Sequence, residues 1–137
     1  MANGPKKAHL ANYDDYTIAI ICPQEMEMSA MRYMLDDEHV RLPKTDINRS
    51  MYILGRVSNH NVAIGYLPRG SEIIGAAATV ATDMRKTFPS IQLSLLVGIG
   101  GGIPSTKNDI RLGDVVVGMP DGKLRNTGVS LTVVVST

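Results

Sequence analysis

Between Leu95 and Ser105 the sequence reads LLVGIGGGIPS, which sets Gly98, Gly100, Gly101 and Gly102 directly after a short apolar run. Backbone without Cβ atoms lets several N–H groups crowd around one ligand. Amides gathered this way can hold an anion such as phosphate. In open α/β sheets ligands bind beyond the carboxyl ends of the strands, where these glycines fall. Two familiar phosphate motifs do not fit the spacing. A dinucleotide fingerprint starting at Gly98 needs a glycine where Ile103 stands, and Pro104 follows instead of a helix. The GxxxxGK[ST] pattern is absent too. The structural alternative is a glycine-rich turn required only for tight packing. Arg69, in the turn LPRG after an apolar run, is the first candidate to meet an anion, whereas Arg85 reads as solvated on the polar face of a helix. His9, His39 and His60 fall in polar stretches with no spacing for a metal or a nucleophile, so no role and no metal site is assigned to them.

The elements that must position these groups follow from periodicity. YTIAIIC (Tyr16 to Cys22) is a nearly all-apolar, β-branched run, as expected of a strand covered on both faces. Pro23 stops it. QEMEMSAMRYMLDD then predicts a helix with Met26, Ala30, Tyr33 and Met34 on its apolar face and acidic residues in its first turn, complementing the helix dipole. EHVRLPKTDINRS reads as a loop. Met51–Val57 and Asn61–Leu67, separated by the turn-like SNH, predict a β-hairpin. A helix over Ser71–Phe88 carries one stripe of Ile73, Ala77, Val80, Ala81, Met84 and Phe88. IQLSLLVG is a further buried strand, and Val115–Met119 another after the glycines. The order β-α-β-β-α-β implies a three-layer α/β/α fold around a mixed, mostly parallel sheet. Residues 1–14 read as a polar lead-in, 15–120 as the body of the domain and 121–137 as an atypical, β-rich tail with no helix to cover it. The domain is expected to be cut short there.

Composition narrows the function classes. A hydrophobic share of 44% and a charged share of 20% over 137 residues fit a globular domain. Fourteen basic residues oppose thirteen acidic ones, with no basic run, which offers nothing to nucleic acid or an anionic membrane. The single cysteine, Cys22, excludes an internal disulfide and, inside a buried strand, reads as a small apolar filler in a reducing compartment. No run reaches the ~18 apolar residues of a membrane span, and MANGPKKAHLANYDDY lacks the apolar core of a secretory signal. The expected location is cytoplasmic.

The segments YTIAIICPQEMEMSAM, LPRGSEIIGAAATVATDM, FPSIQLSLLVGIGGGIPS and DIRLGDVVVG, in this order, resemble the nucleoside phosphorylase superfamily. That superfamily includes purine and uridine phosphorylases and methylthioadenosine/S-adenosylhomocysteine nucleosidases. The wording VGIGGGIPS…DIRLGDVVV is similar to versions fused to ankyrin-repeat or NTPase modules in filamentous fungi. The resemblance spans about Tyr16 to Pro120, the N-terminal half of a family domain. It implies a homo-oligomer without organic cofactor or metal, binding a nucleoside and, for a phosphorylase, inorganic phosphate as co-substrate.

Family chemistry breaks the N-glycosidic bond of a nucleoside through an oxocarbenium-like transition state. The enzyme holds the nucleophile below the sugar, stabilises the sugar's charge and assists the departing base. By resemblance, Gly98, Gly100, Gly101 and Gly102 present backbone to phosphate or water, and Glu27 matches the acidic residue that activates water. The alternative for Glu27 is a solvated helix-face carboxylate. Asp114, in LGD, reads as structural support for the loop. Ile99 stands where bacterial relatives place a serine, leaving only backbone donors. Nothing after Met119 matches the family's base-binding half, whose general acid is worth ~10²–10⁴ in rate. Three readings follow: a nucleoside-cleaving domain, a non-enzymatic nucleoside-sensing or assembly module of a fungal signalling protein, or an inactive truncated product.

Overall fold

The computed structural model describes residues 12–43, 52–67, 73–118 and 130–136. A 3-10 turn at Tyr13–Asp15 leads into β1 (Ile18–Cys22) and α1 (Glu25–Tyr33). Then come β2 (Asp37–Glu38), β3 (Tyr52–Val57), β4 (His60–Tyr66), α2 (Ile73–Thr87), β5 (Leu93–Gly100), β6 (Val115–Gly118) and β7 (Ser130–Ser136). The strands form one sheet in the order β2-β3-β4-β1-β5-β7-β6. Its centre is parallel, with β1 between β4 and β5 and β7 beside β5, and its margins are antiparallel. Among the described residues no helix is long and apolar enough to cross a membrane.

Alternation along β1 explains the layers. Ile20 and Cys22 join Val62 and Ile64 on one face, against Met28, Met31 and Leu35 of the α1 region. Ala19 and Ile21 join Ala63 on the other, against Val80 and Met84 of α2. A strand buried on both faces has no polar side to spare, hence its uninterrupted apolar run. Small residues let α2 lie close. A Cβ on Gly65 would come within 2.9 Å of Met84 Sδ and 3.0 Å of Val80 Cγ1, so a side chain there would have to push both aside. Phe88, just after α2, closes this layer with ring contacts to Tyr13, Tyr16 and Tyr52 at centroid distances of 5.6, 5.4 and 5.2 Å. The expected three-layer α/β/α fold with a mixed sheet is therefore present.

Five expectations change. The inward face of α1 is not Met26, Ala30, Tyr33 and Met34: Met26, Tyr33 and Met34 are 69%, 92% and 65% exposed. Glu27, Met28, Met31 and Leu35 face the sheet instead, because a buried carboxylate sets the helix phase. The loop after α1 contains β2, whose Asp37 and Glu38 pair with Arg56 and Gly55. The first glycines do not begin a loop: β5 runs on through Gly100, paired with β7. His60 lies in β4 and not in a loop. Residues 130–136, in the expected tail, are inserted between β5 and β6.

Candidate functional site

Because β1, β4 and β5 are parallel, Cys22, Tyr66 and Gly98–Gly100 end on one edge of the sheet. α1 begins at that edge, and Glu27 lies in its first turn. The side chain is buried, 5% exposed, which excludes the solvated-carboxylate alternative. One oxygen, Oε2, accepts the Gln24 amide at 2.8 Å, capping the helix. The other, Oε1, accepts the Ile99 amide at 2.9 Å. β1 supports β5 only as far as the Ile21–Leu96 pair. Past that point the Glu27 carboxylate takes the place of a neighbouring strand.

Gly98 lies beside this carboxylate. A Cβ there would lie 3.5 Å from Glu27 Oε1 and 3.9 Å from Pro23 Cγ, an ordinary contact that packing tolerates. Gly100 and Gly102 are half-buried, while Gly101 is exposed and a Cβ on it would meet nothing within 4 Å. No atom of the described chain forces glycine at 101. Beside these residues the surface is apolar, with Ile99 45% and Ile103 86% exposed. A carboxylate has about four acceptor positions. The two amides fill two of them, so Glu27 retains capacity to accept from a water or a sugar hydroxyl.

The other candidates separate by topology. Arg69 lies outside the described residues. Arg85 is exposed in the last turn of α2, which leads into the start of β5, so it sits at the sheet edge opposite the glycines. Asp114 closes a turn: its Oδ2 accepts the Arg111 amide at 2.8 Å, and its own amide donates to the Arg111 carbonyl at 3.0 Å. His39 is engaged by the buried Tyr16 hydroxyl, 2.7 Å from Nδ1, a partnership the sequence reading missed. Cys22 is fully buried, and burial followed by the Glu27 charge pushes its thiol up to about 12, which removes it as a nucleophile. Among the described residues no group of His, Cys, Asp or Glu is arranged to hold a metal ion. Sequence reasoning also missed the two backbone amides that fix Glu27. A carboxylate three residues after a possible N-cap was the available signal for one of them.

No family model matches the chain. A nucleotide-binding leucine-rich repeat (NLR)-like protein of Hyaloscypha variabilis is 42% identical over 113 residues, covering 80% of this chain and 11% of its own length. The fold is similar to that of 5′-methylthioadenosine/S-adenosylhomocysteine nucleosidase from Neisseria meningitidis in complex with methylthio-immucillin-A, with a TM-score of 0.56 and 20% identity over 75% of this chain and 40% of that one. S-adenosylhomocysteine nucleosidase from Streptococcus pyogenes, in complex with 5-methylthiotubericidin, is similar with a TM-score of 0.52 and 24% identity over 75% and 39%. A futalosine hydrolase mutant from Helicobacter pylori gives 0.51 and 15% over 76% and 42%. The chain thus spans about 40% of the length of the nucleosidases it matches. Over that span it shares the α/β fold of these nucleosidases and of the futalosine hydrolase.

Proposed function

We infer that this chain supplies the nucleophile-holding part of a domain that hydrolyses the N-glycosidic bond of a purine nucleoside. The observation that carries this reading is the Glu27 carboxylate, buried at the sheet's carboxyl edge and fixed against the Ile99 amide. Ligands named in complexes of the similar nucleosidases, methylthio-immucillin-A and 5-methylthiotubericidin, support a nucleoside as the ligand class. In the proposed step Glu27 accepts a proton from water while the water oxygen bonds to the anomeric carbon. The bond from that carbon to the base breaks, and the base leaves with the electron pair and takes up a proton at nitrogen. Gly98–Gly102 provide the close backbone approach to sugar and nucleophile.

Water is favoured over phosphate as nucleophile. The Ile99 amide, which could have bound a phosphate oxygen, is already spent on a carboxylate, and Ile99 adds no hydroxyl. A phosphate anion beside Glu27 would meet like charge. The reading requires no organic cofactor, and it includes a homo-oligomer in the cytoplasm. Arg69 belongs to it as a possible anion-binding group.

A second reading has its own support. The relative of which this span is 11% is named as an NLR-like protein, which favours a nucleoside-sensing module within a longer polypeptide. One assay separates the two. The protein is incubated with adenosine and 5′-methylthioadenosine, and free base is measured with and without phosphate. Release that ignores phosphate and is lost in Glu27→Gln is the expected result. Release that requires phosphate overturns hydrolysis. Saturable binding at the Gly100–Gly102 amides without release assigns the sensing role, and neither binding nor release overturns both.

A further inference from the structure

Apart from the Glu27 edge, one cavity of about 150 Å³ opens between α1, the segment after β2, and strands β3 and β4. Its lining includes Met28, Arg32, Glu38, His39, Arg41 and Tyr66, and neither Glu27 nor any of the glycines. Arg32 donates from Nε and Nη2 to the two Glu38 oxygens at 2.8 and 2.9 Å, so the one lining carboxylate is already occupied. Arg41 is exposed and has no ion-pair partner among the described residues. Tyr16 is fully buried, and its hydroxyl finds His39 Nδ1 at 2.7 Å. That hydroxyl occupies Nδ1, so Nε2 is the ring nitrogen left to face the cavity. With the hydroxyl donating to Nδ1, the neutral ring carries its proton on Nε2. Nearby Asp37 and Arg56 are committed to each other.

The lining therefore combines one unpaired guanidinium, a ring N–H donor and the spare N–H groups of Arg32 with no free carboxylate. Such a set recognises negative charge, and the planar fork of arginine suits an oxyanion. The volume equals roughly five waters at about 30 Å³ each, and it is below the ~300 Å³ at which pockets for drug-sized ligands begin. We propose that this cavity binds a small oxyanion of phosphate size, held by Arg41 with His39 and Arg32. It is an anion position separate from the nucleophile site, and stands whether or not Glu27 is catalytic.

The test is a titration of the ¹⁵N-labelled chain with sodium phosphate at neutral pH and constant ionic strength, with sodium chloride as control. The expected result is saturable shifts of the His39, Arg41 and Ile53 amides with phosphate and none with chloride. Arg41→Met should weaken binding about tenfold or more, the share of one charge-assisted contact. Arg111→Met, which removes an exposed pair with Asp109, should change nothing. Arg41→Lys keeps the charge without the fork and should fall between, so the site stays testable even if Arg41→Met fails to fold. No saturable response, an equal response to chloride, shifts confined to Gly98–Gly102, or undiminished binding by Arg41→Met would each overturn the proposal.

Discussion

Glu27 and Ile99, 72 residues apart in sequence, meet through a 2.9 Å hydrogen bond from the Ile99 amide to the Glu27 carboxylate. The bond lies past the last residue at which β1 supports β5. It fastens the start of α1 to the glycine-bearing strand and holds a carboxylate at the carboxyl edge of the parallel strands, where open α/β sheets generally bind ligands. A buried charge usually costs stability. Here two amides offset that cost.

Glu27→Gln tests both duties. A glutamine side chain can satisfy only one of the two amides, since its NH₂ group meets the other donor to donor. Loss of about 1–3 kcal/mol is expected from one unsatisfied buried donor, read by chemical denaturation. Base release should fall by ~10²–10⁴. A variant with unchanged release would remove Glu27 from the chemistry even if stability drops.

Two glycines should respond in opposite ways. Gly65→Ala drives a Cβ to 2.9 Å from Met84 Sδ, so unfolding should come earlier by about 1–3 kcal/mol from overpacking. Gly101→Val has open space around the new side chain and should unfold with the wild type. Its nucleoside affinity should nevertheless drop, as measured by calorimetry.

Alkaline stability should decline in a defined window. Burial raises the Cys22 thiol from 9.0 to about 12 and the Tyr16 phenol from 10.0 to about 12. The unfolded chain loses these protons first. The contribution is therefore complete below pH 9.0 and is lost as pH rises towards about 12. Cys22→Ala should flatten part of this slope in urea titrations. In the native wild type the thiol should resist Ellman's reagent until the chain unfolds.

Acid should act through His39. Burial first, and Arg56 after it, lower its affinity for a proton against the opposing pull of Asp37. The unfolded ring titrates at 6.5, so stability from the neutral ring is present above that pH and falls as pH drops through it. Melting temperatures at successive pH values should show a step that His39→Phe lacks.

Much of the fold was legible because burial and apolar character coincide. β1, β4 and the stripe Val80, Met84 and Phe88 needed only periodicity. α1 was read in the wrong phase because its most buried residue is Glu27, which any apolar template assigns to the solvent side. β2 escaped notice since Asp37 and Glu38 are poor strand formers, and their pairing with Arg56 and Gly55 comes from across the sheet. Within the site, Glu27 and the glycine-rich strand end were visible in the sequence, but the hydrogen bond between Glu27 and Ile99 was not. A bond spanning 72 residues leaves no local pattern.

Neighbours in the sheet are not neighbours in time. β7 lies between β5 and β6, yet Ser136 follows Gly100 by 36 residues and is synthesised after β6. At about 5–20 residues per second, the outer edge of the glycine-bearing strand waits roughly 2–7 s on the ribosome for its partner. β6 emerges first, and its Val115 and Val117 remain 61% and 48% exposed even in the finished sheet. During synthesis, then, the strand that carries the candidate site has its inner side secured by β1 and Glu27 and its outer side open.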